Sequence, residues 1–173
     1  MTSIVPLNLP KTNLSLSRSG KNIYVNCLVR RKKIILTPEE WVRQHFIAYF
    51  IDKLKYPKGL LTIEKKIQYG GLEKRWDLAV FMQDQSCFLL LECKAPSIPI
   101  NQVVFEQSLT YYKELQAEYL VMSNGNDHVI LKKEINAINL VIQNKKEPVT
   151  CIIGGSKISS KINVITNLIE KVN

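Results

Sequence analysis

Continuous and alternating apolar positions divide this chain into strands and helices. Residues 75–81 and 88–94 are apolar runs unbroken by Gly or Pro, with a polar turn at 83–86. Such runs read as strands buried on both faces and joined as a hairpin. Residues 60–69 alternate in part and form a strand, which Gly70 and Gly71 turn towards the next one. Val42, Phe46, Phe50 and Leu54 recur at helical spacing, which predicts a helix from 37 to about 55 with that face buried. Thr37 suits its N-cap, Pro38 its first position, and Glu40 completes a Thr-x-x-Glu capping box.

A second helix is predicted from about 101 to 117, after Pro96 and Pro99. The apolar stretch 118–124 then forms a strand, placed parallel to 88–94 by the crossover helix. Asn124-Gly125 turns tightly into a strand at 128–132. Residues 23–29 and 33–36 read as short strands around the basic run 30–33. Residues 135–147 read as a short helix or loop, and 149–153 as an edge strand. Ile158, Ile162, Ile165, Leu168 and Ile169 mark an amphipathic closing helix that docks on the core or on a partner. Residues 1–20 are irregular, an arm that packs on the domain or is mobile. The sum is an α/β fold with a mixed central sheet of about five strands flanked by helices. It divides into an N-terminal basic arm (1–20), a core (21–134) and a C-terminal extension packed on that core (135–173).

Three ionisable groups interrupt the apolar hairpin: Asp77, Glu92 and Lys94. Charge in a central strand is costly unless it meets other charge, a metal or a substrate. Glu92 and Lys94 share one strand face, roughly 7 Å apart, and Cys93 points the other way. Hairpin pairing makes Asp77 a neighbour of Glu92. Two carboxylates and an ammonium at a sheet end suit phosphodiester hydrolysis. Carboxylates are hard ligands for Mg²⁺, which takes one or two of them and keeps several waters. The metal would acidify a bound water, and the lysine would orient it or stabilise developing charge. The alternative is an ion-paired cluster without chemistry; the concentration of perturbed buried charge at functional sites favours the former. On the predicted helix, Glu39 projects close to Val42, Phe46 and Phe50, with Arg43 one turn on. Glu40 projects off that axis and has a capping role. Both acids also suit the positive end of a helix.

Asp77 followed by Glu92-x-Lys94 resembles the PD-(D/E)xK nuclease signature, with Trp76 in place of its proline. The fuller string 74–81 with 91–96 is similar to the N-terminal nuclease domain of type I restriction enzyme R subunits, and the likeness spans about residues 21 to 131. It implies a restriction-endonuclease-like fold and a DNA endonuclease dependent on Mg²⁺, or Mn²⁺ in its place. Asp77, Glu92 and Lys94 are then catalytic, the two acids hold the metal, and Glu39, four residues before Arg43, is a further metal or water ligand. The likeness gives Gln107 and Tyr111, four apart on the second helix, a part in holding DNA. It also implies other restriction or repair proteins as partners. A DNA-binding or assembly module with little activity alone, and a branched-DNA resolvase, are the competing readings.

Composition trims these possibilities. The 173 residues carry a net charge of +9, and residues 1–36 hold seven basic side chains and no acid. Arg30, Arg31, Lys32, Lys33 and Arg43 fit phosphate contacts, and a solvated tail explains the N-terminal charge equally well. Only two histidines occur, His45 and His128, which disfavours zinc and His-centred nucleases. The four cysteines are scattered, and the N-terminus lacks the pattern of a secretion signal, so reduced thiols and a cytoplasmic location are expected. No apolar run approaches a membrane span. Gly154-Gly-Ser-Lys157 lacks the spacing of a nucleotide-binding loop, so no use of ATP is expected.

Overall fold

The structure, a computed structural model, describes residues 4–69, 72–100, 117–134, 137–143 and 148–153. The predicted Gly70-Gly71 turn, all but the last residue of the helix at 101–117, and the closing helix at 157–172 lie outside them.

Three short strands come first: β1 (Leu16–Ser19), β2 (Asn22–Cys27) and β3 (Lys32–Ile35), an antiparallel sheet in the order β1-β2-β3. Residues 28–31 form the β2–β3 turn, Lys32 and Lys33 open β3, and Leu28 and Val29 of the turn pack against the main core. Helix α1 (Pro38–Ala48) follows. Thr37 caps it, its hydroxyl accepting the Glu40 N–H at 3.1 Å. The helix continues to Lys53 in a wider π turn, which seats both Tyr49 and Phe50 in the interior. The anticipated helical span to about 55 thus ends in a change of helix type.

Seven strands then build one sheet: β4 (Leu61–Tyr69), β5 (Leu72–Phe81), β6 (Cys87–Cys93), β7 (Tyr119–Ser123), β8 (His128–Glu134), β9 (Ala137–Gln143) and β10 (Pro148–Ile153). They lie side by side in chain order. Only β6 and β7 run parallel, as the crossover argument requires. The anticipated five-strand mixed sheet is β4 to β8, and β9 and β10 extend it. The expectation of a helix or loop at 135–147 is corrected by β9. Ile138, Val141 and Ile142 are β-branched there, and β8 offers a free antiparallel edge.

Alternation along the central strands explains the layering. Leu78, Val80, Leu89, Leu91 and Val121 meet Val42, Phe46 and Ile47 of α1 and Phe50 of its π turn in one core. The intervening Ala79, Leu90, Leu120 and Met122 are also buried, so both faces of the sheet centre are covered. Each large aliphatic or aromatic side chain buried this way contributes about 1.5–3 kcal/mol. The N-terminal arm packs on this body. Val5 O accepts the Trp41 indole N–H at 2.9 Å, and Asn8 N–H donates to Gly125 O at 2.7 Å. The architecture is α/β and restriction-endonuclease-like.

Candidate active site

Asp77 sits where two strand ladders part. β5 pairs with β4 at Leu78–Ile63 and Trp76–Lys65, skipping the Asp77–Glu64 step. Its pairing with β6 ends at Leu78–Leu91, one step before Asp77 and Glu92 would meet. Asp77 Oδ2 accepts the Cys93 backbone N–H at 2.6 Å instead, so a side chain satisfies a donor that the ladder leaves open. On its other side β6 stays attached to β7 through Lys94 N–H to Ser123 O, 2.8 Å.

The parting of the strands opens a cleft of about 530 Å³ between the sheet end, the start of α1 and the β2–β3 turn. Asp77, Glu92, Lys94 and Glu39 all line it, as do Arg30 and Arg43. The side chains of Asp77, Glu92 and Lys94 are 17%, 15% and 33% exposed, so solvent reaches all three. Lys94 Nζ donates to Glu92 Oε1 at 2.9 Å. Arg31 on the turn and Lys32 and Lys33 at the start of β3 are exposed, outside the cleft lining. Gln107 and Tyr111 lie outside the described residues.

Arg43 is the hub of the charged network. Its Nη2 donates to Asp77 Oδ1 and its Nη1 to Glu40 Oε2, each at 2.7 Å, and Nη1 also lies 3.4 Å from Glu64 Oε1. Glu40 corrects the helical projection, which aimed Glu39 rather than Glu40 at the site. Glu40 is buried, and its second oxygen accepts Gln44 Nε2 at 2.7 Å. The capping box is therefore half made, because the Glu40 carboxylate is drawn to Arg43 and Gln44 and not to the Thr37 N–H. Glu39 lines the same cleft half-buried.

Sequence reasoning missed Glu64 and Arg75. Glu64 lies on β4 at the step that the ladder skips, with φ +52, an uncommon backbone for a non-glycine residue. Its carboxylate meets Arg30 Nη2, Arg43 Nη1 and, at 3.8 Å, Arg75 Nη1. In sequence it looks like any polar position of an alternating strand.

Burial pushes the Asp77 carboxyl above its usual value; Arg43 and the Cys93 N–H oppose this, and Glu92 adds to it. Burial alone would lower the Lys94 ammonium, but the Glu92 hydrogen bond and charge outweigh it and raise it. Burial would raise Glu64, yet Arg30, Arg75 and Arg43 hold it below the ordinary carboxylate range. Burial sets the Cys93 thiol well above its normal value, which suits a packing role and no reactivity.

Among the described residues, no three His, Cys, Asp or Glu side chains are grouped to cage a metal. Asp77 and Glu92 are two hard carboxylates on a solvent-reached cleft, the number that Mg²⁺ takes when it keeps several waters. The upward push of Glu92 on Asp77 marks negative charge that a cation would neutralise. The donor set therefore fits a hydrated divalent ion. Among the described residues, no helix is long and apolar enough to cross a membrane.

Comparison with known proteins adds two findings. Residues 38–145, more than half of the chain, match the family described as type I restriction enzyme R protein N terminus. Residues 121–173 match phosphoglycerate kinase. The phosphoglycerate kinase of Porphyromonas gingivalis is 39% identical over 59 residues, 34% of this chain and 14% of that enzyme. Those of Clostridium kluyveri and Rippkaea orientalis are 48% and 50% identical, over 25% and 24% of this chain and 11% and 10% of their own. The chain thus spans a tenth to a seventh of the length of these relatives.

Proposed function

Because the chain belongs to the family of type I restriction enzyme R protein N termini, we propose that its cleft is a Mg²⁺-dependent deoxyribonuclease centre. The observation that carries the reading is the convergence of Asp77, Glu92 and Lys94 on one solvent-reached cleft where the sheet opens. Asp77 and Glu92 would hold the ion, with Glu39 contributing directly or through water. When bound, such an ion acidifies a coordinated water and neutralises phosphoryl charge.

The protein's own residues do the rest. The Cys93 N–H holds the Asp77 carboxylate against β6 at the edge of the cleft. Lys94 shares the mouth of the cleft with Glu92 and presents an ammonium to the attacking water or the phosphoryl oxygens. Arg30 and Arg43 supply positive charge for the DNA backbone. Attack of water on phosphorus with loss of the 3′ oxygen would leave a 5′-phosphate and a 3′-hydroxyl. DNA and other restriction or repair subunits are the partners this reading implies. The phosphoglycerate kinase likeness covers too little of those enzymes to bring their reaction into the proposal.

One observation favours a second reading, a DNA-binding or assembly module with little activity alone. Both Asp77 oxygens are already engaged, one by Arg43 and one by the Cys93 N–H. Nicking of supercoiled plasmid in Mg²⁺ decides between them. The nuclease reading expects nicking by the wild type and its loss in Asp77→Ala and Lys94→Ala. Nicking retained in both variants overturns the assignment. No cleavage of plasmid, linear or branched DNA by the wild type selects the module, and preference for four-way junctions selects a resolvase.

A further inference from the structure

Three guanidinium groups from three different elements meet one carboxylate inside the cleft. Arg30 comes from the β2–β3 turn, Arg43 from α1 and Arg75 from β5, and all three reach Glu64 of β4. Guanidinium forks gather in this way around phosphate oxygens. Arg43 Nε is buried and has no hydrogen-bond partner among the described residues, so the cluster keeps unused donor capacity. Glu64 holds its place in a left-handed backbone (φ +52) in mid-strand, at the step facing Asp77 where β4 and β5 do not pair. Non-glycine residues in that region persist where the surroundings over-determine them, and they cluster at ligand clamps and switches. From that step the carboxylate reaches all three arginines.

We infer that Arg30, Arg43 and Arg75 form a seat for a backbone phosphate of nucleic acid one strand from Asp77. Glu64 fills that seat in the free protein as an internal stand-in that the phosphodiester displaces. The seat rests on the proposed function for its ligand, a nucleic-acid phosphate, but not for its geometry. With the proposed hydrolytic centre at Asp77, Glu92 and Lys94, the cleft would then have a second region that grips a neighbouring phosphate.

The stand-in has an unusual signature, since removing an acid at the site should strengthen binding. Fluorescence anisotropy with labelled duplex DNA in EDTA reads it without chemistry. Glu64→Gln should bind about tenfold tighter, with a log K against log salt slope steeper by about one to two. Glu73→Gln makes the same charge change on the adjoining strand, outside the cleft, and should shift binding less than about twofold. Arg75→Gln should cancel the gain. Inorganic phosphate should raise the melting temperature of Glu64→Gln more than that of the wild type. Glu64→Gly, which relaxes the backbone, should reproduce the tighter binding and carries the test should the glutamine variant not fold. Binding by Glu64→Gln and Glu64→Gly that is unchanged, weaker, or matched by Glu73→Gln overturns the inference. If the wild type nicks DNA and the Glu64 variants gain nothing, the seat fails and the nuclease reading stands. If the gain appears with no cleavage by any form, the seat stands and the nuclease reading fails.

Discussion

Replacing Arg43 with methionine tests the site at its hub. Methionine keeps most of the stem's volume and removes the guanidinium. Arg43 is almost fully buried, and it bonds Glu40, which is 7% exposed, and Asp77. Removing one partner of a buried ion pair costs about 3–5 kcal/mol, because the other charge stays desolvated and unpaired. The lower end applies here. Glu40 keeps Gln44, Asp77 keeps the Cys93 N–H, and Glu64 keeps Arg30. We expect a loss of about 3 kcal/mol by urea unfolding at pH 7, with an unchanged slope. At about 2–4 °C per kcal/mol, the melting midpoint falls by roughly 6–12 °C. The deficit should also depend on pH. Burial already raises the Asp77 carboxyl, and without Arg43 it rises further. A carboxyl raised on folding binds its proton more tightly in the native state. Its penalty is full above the native value and fades as pH falls towards about 3.9, the unfolded value. A deficit under about 1 kcal/mol, or one independent of pH, would refute the account of Arg43 as the charge that holds this cluster together.

Other outcomes follow from the same coordinates. Gly125 has φ +85, and a Cβ there would lie 2.7 Å from Leu7 Cδ2. Gly125→Ala should cost about 1–3 kcal/mol and expose the arm to limited proteolysis. Burial lowers the pKa of His128 and of His45, so the unfolded chain binds more protons in that window. Stability should therefore be full above about pH 6.5 and fall as pH drops towards the native values, with a shallower fall in His128→Gln. Mg²⁺ should raise the melting temperature of the wild type, and Asp77→Asn or Glu92→Gln should abolish that rise, as read by scanning fluorimetry.

The hairpin and its charged trio were legible because ionisable groups stand out in strands that are otherwise apolar. The β6–β7 parallel pairing followed from the crossover helix predicted between two apolar strands. Glu64 was not legible, since an acid on a partly alternating strand reads as solvent-facing, and only coordinates reveal its backbone and its three arginines. Glu40 was misprojected because an ideal helical wheel ignores what neighbours attract: Arg43 and Gln44, three and four residues on, hold its carboxylate inward. β9 escaped because Asn136 and Asn139 blur the period of a short strand. The phosphoglycerate kinase likeness of residues 121–173 was invisible to pattern reasoning, which reads an apolar stripe and not a resemblance.

The arm also sets a schedule. Asn8 binds Gly125 and the ring of His128, a partner 120 positions away. A ribosome adding about 5–20 residues per second takes on the order of 10 s to cover that separation. Until then the opening segment has its Trp41 contact through Val5 but not its anchors at Gly125 and His128. A nascent chain halted before the β7–β8 hairpin would carry the acids of the cleft without the arm's contacts at Gly125 and His128, so the arm should dock late in translation.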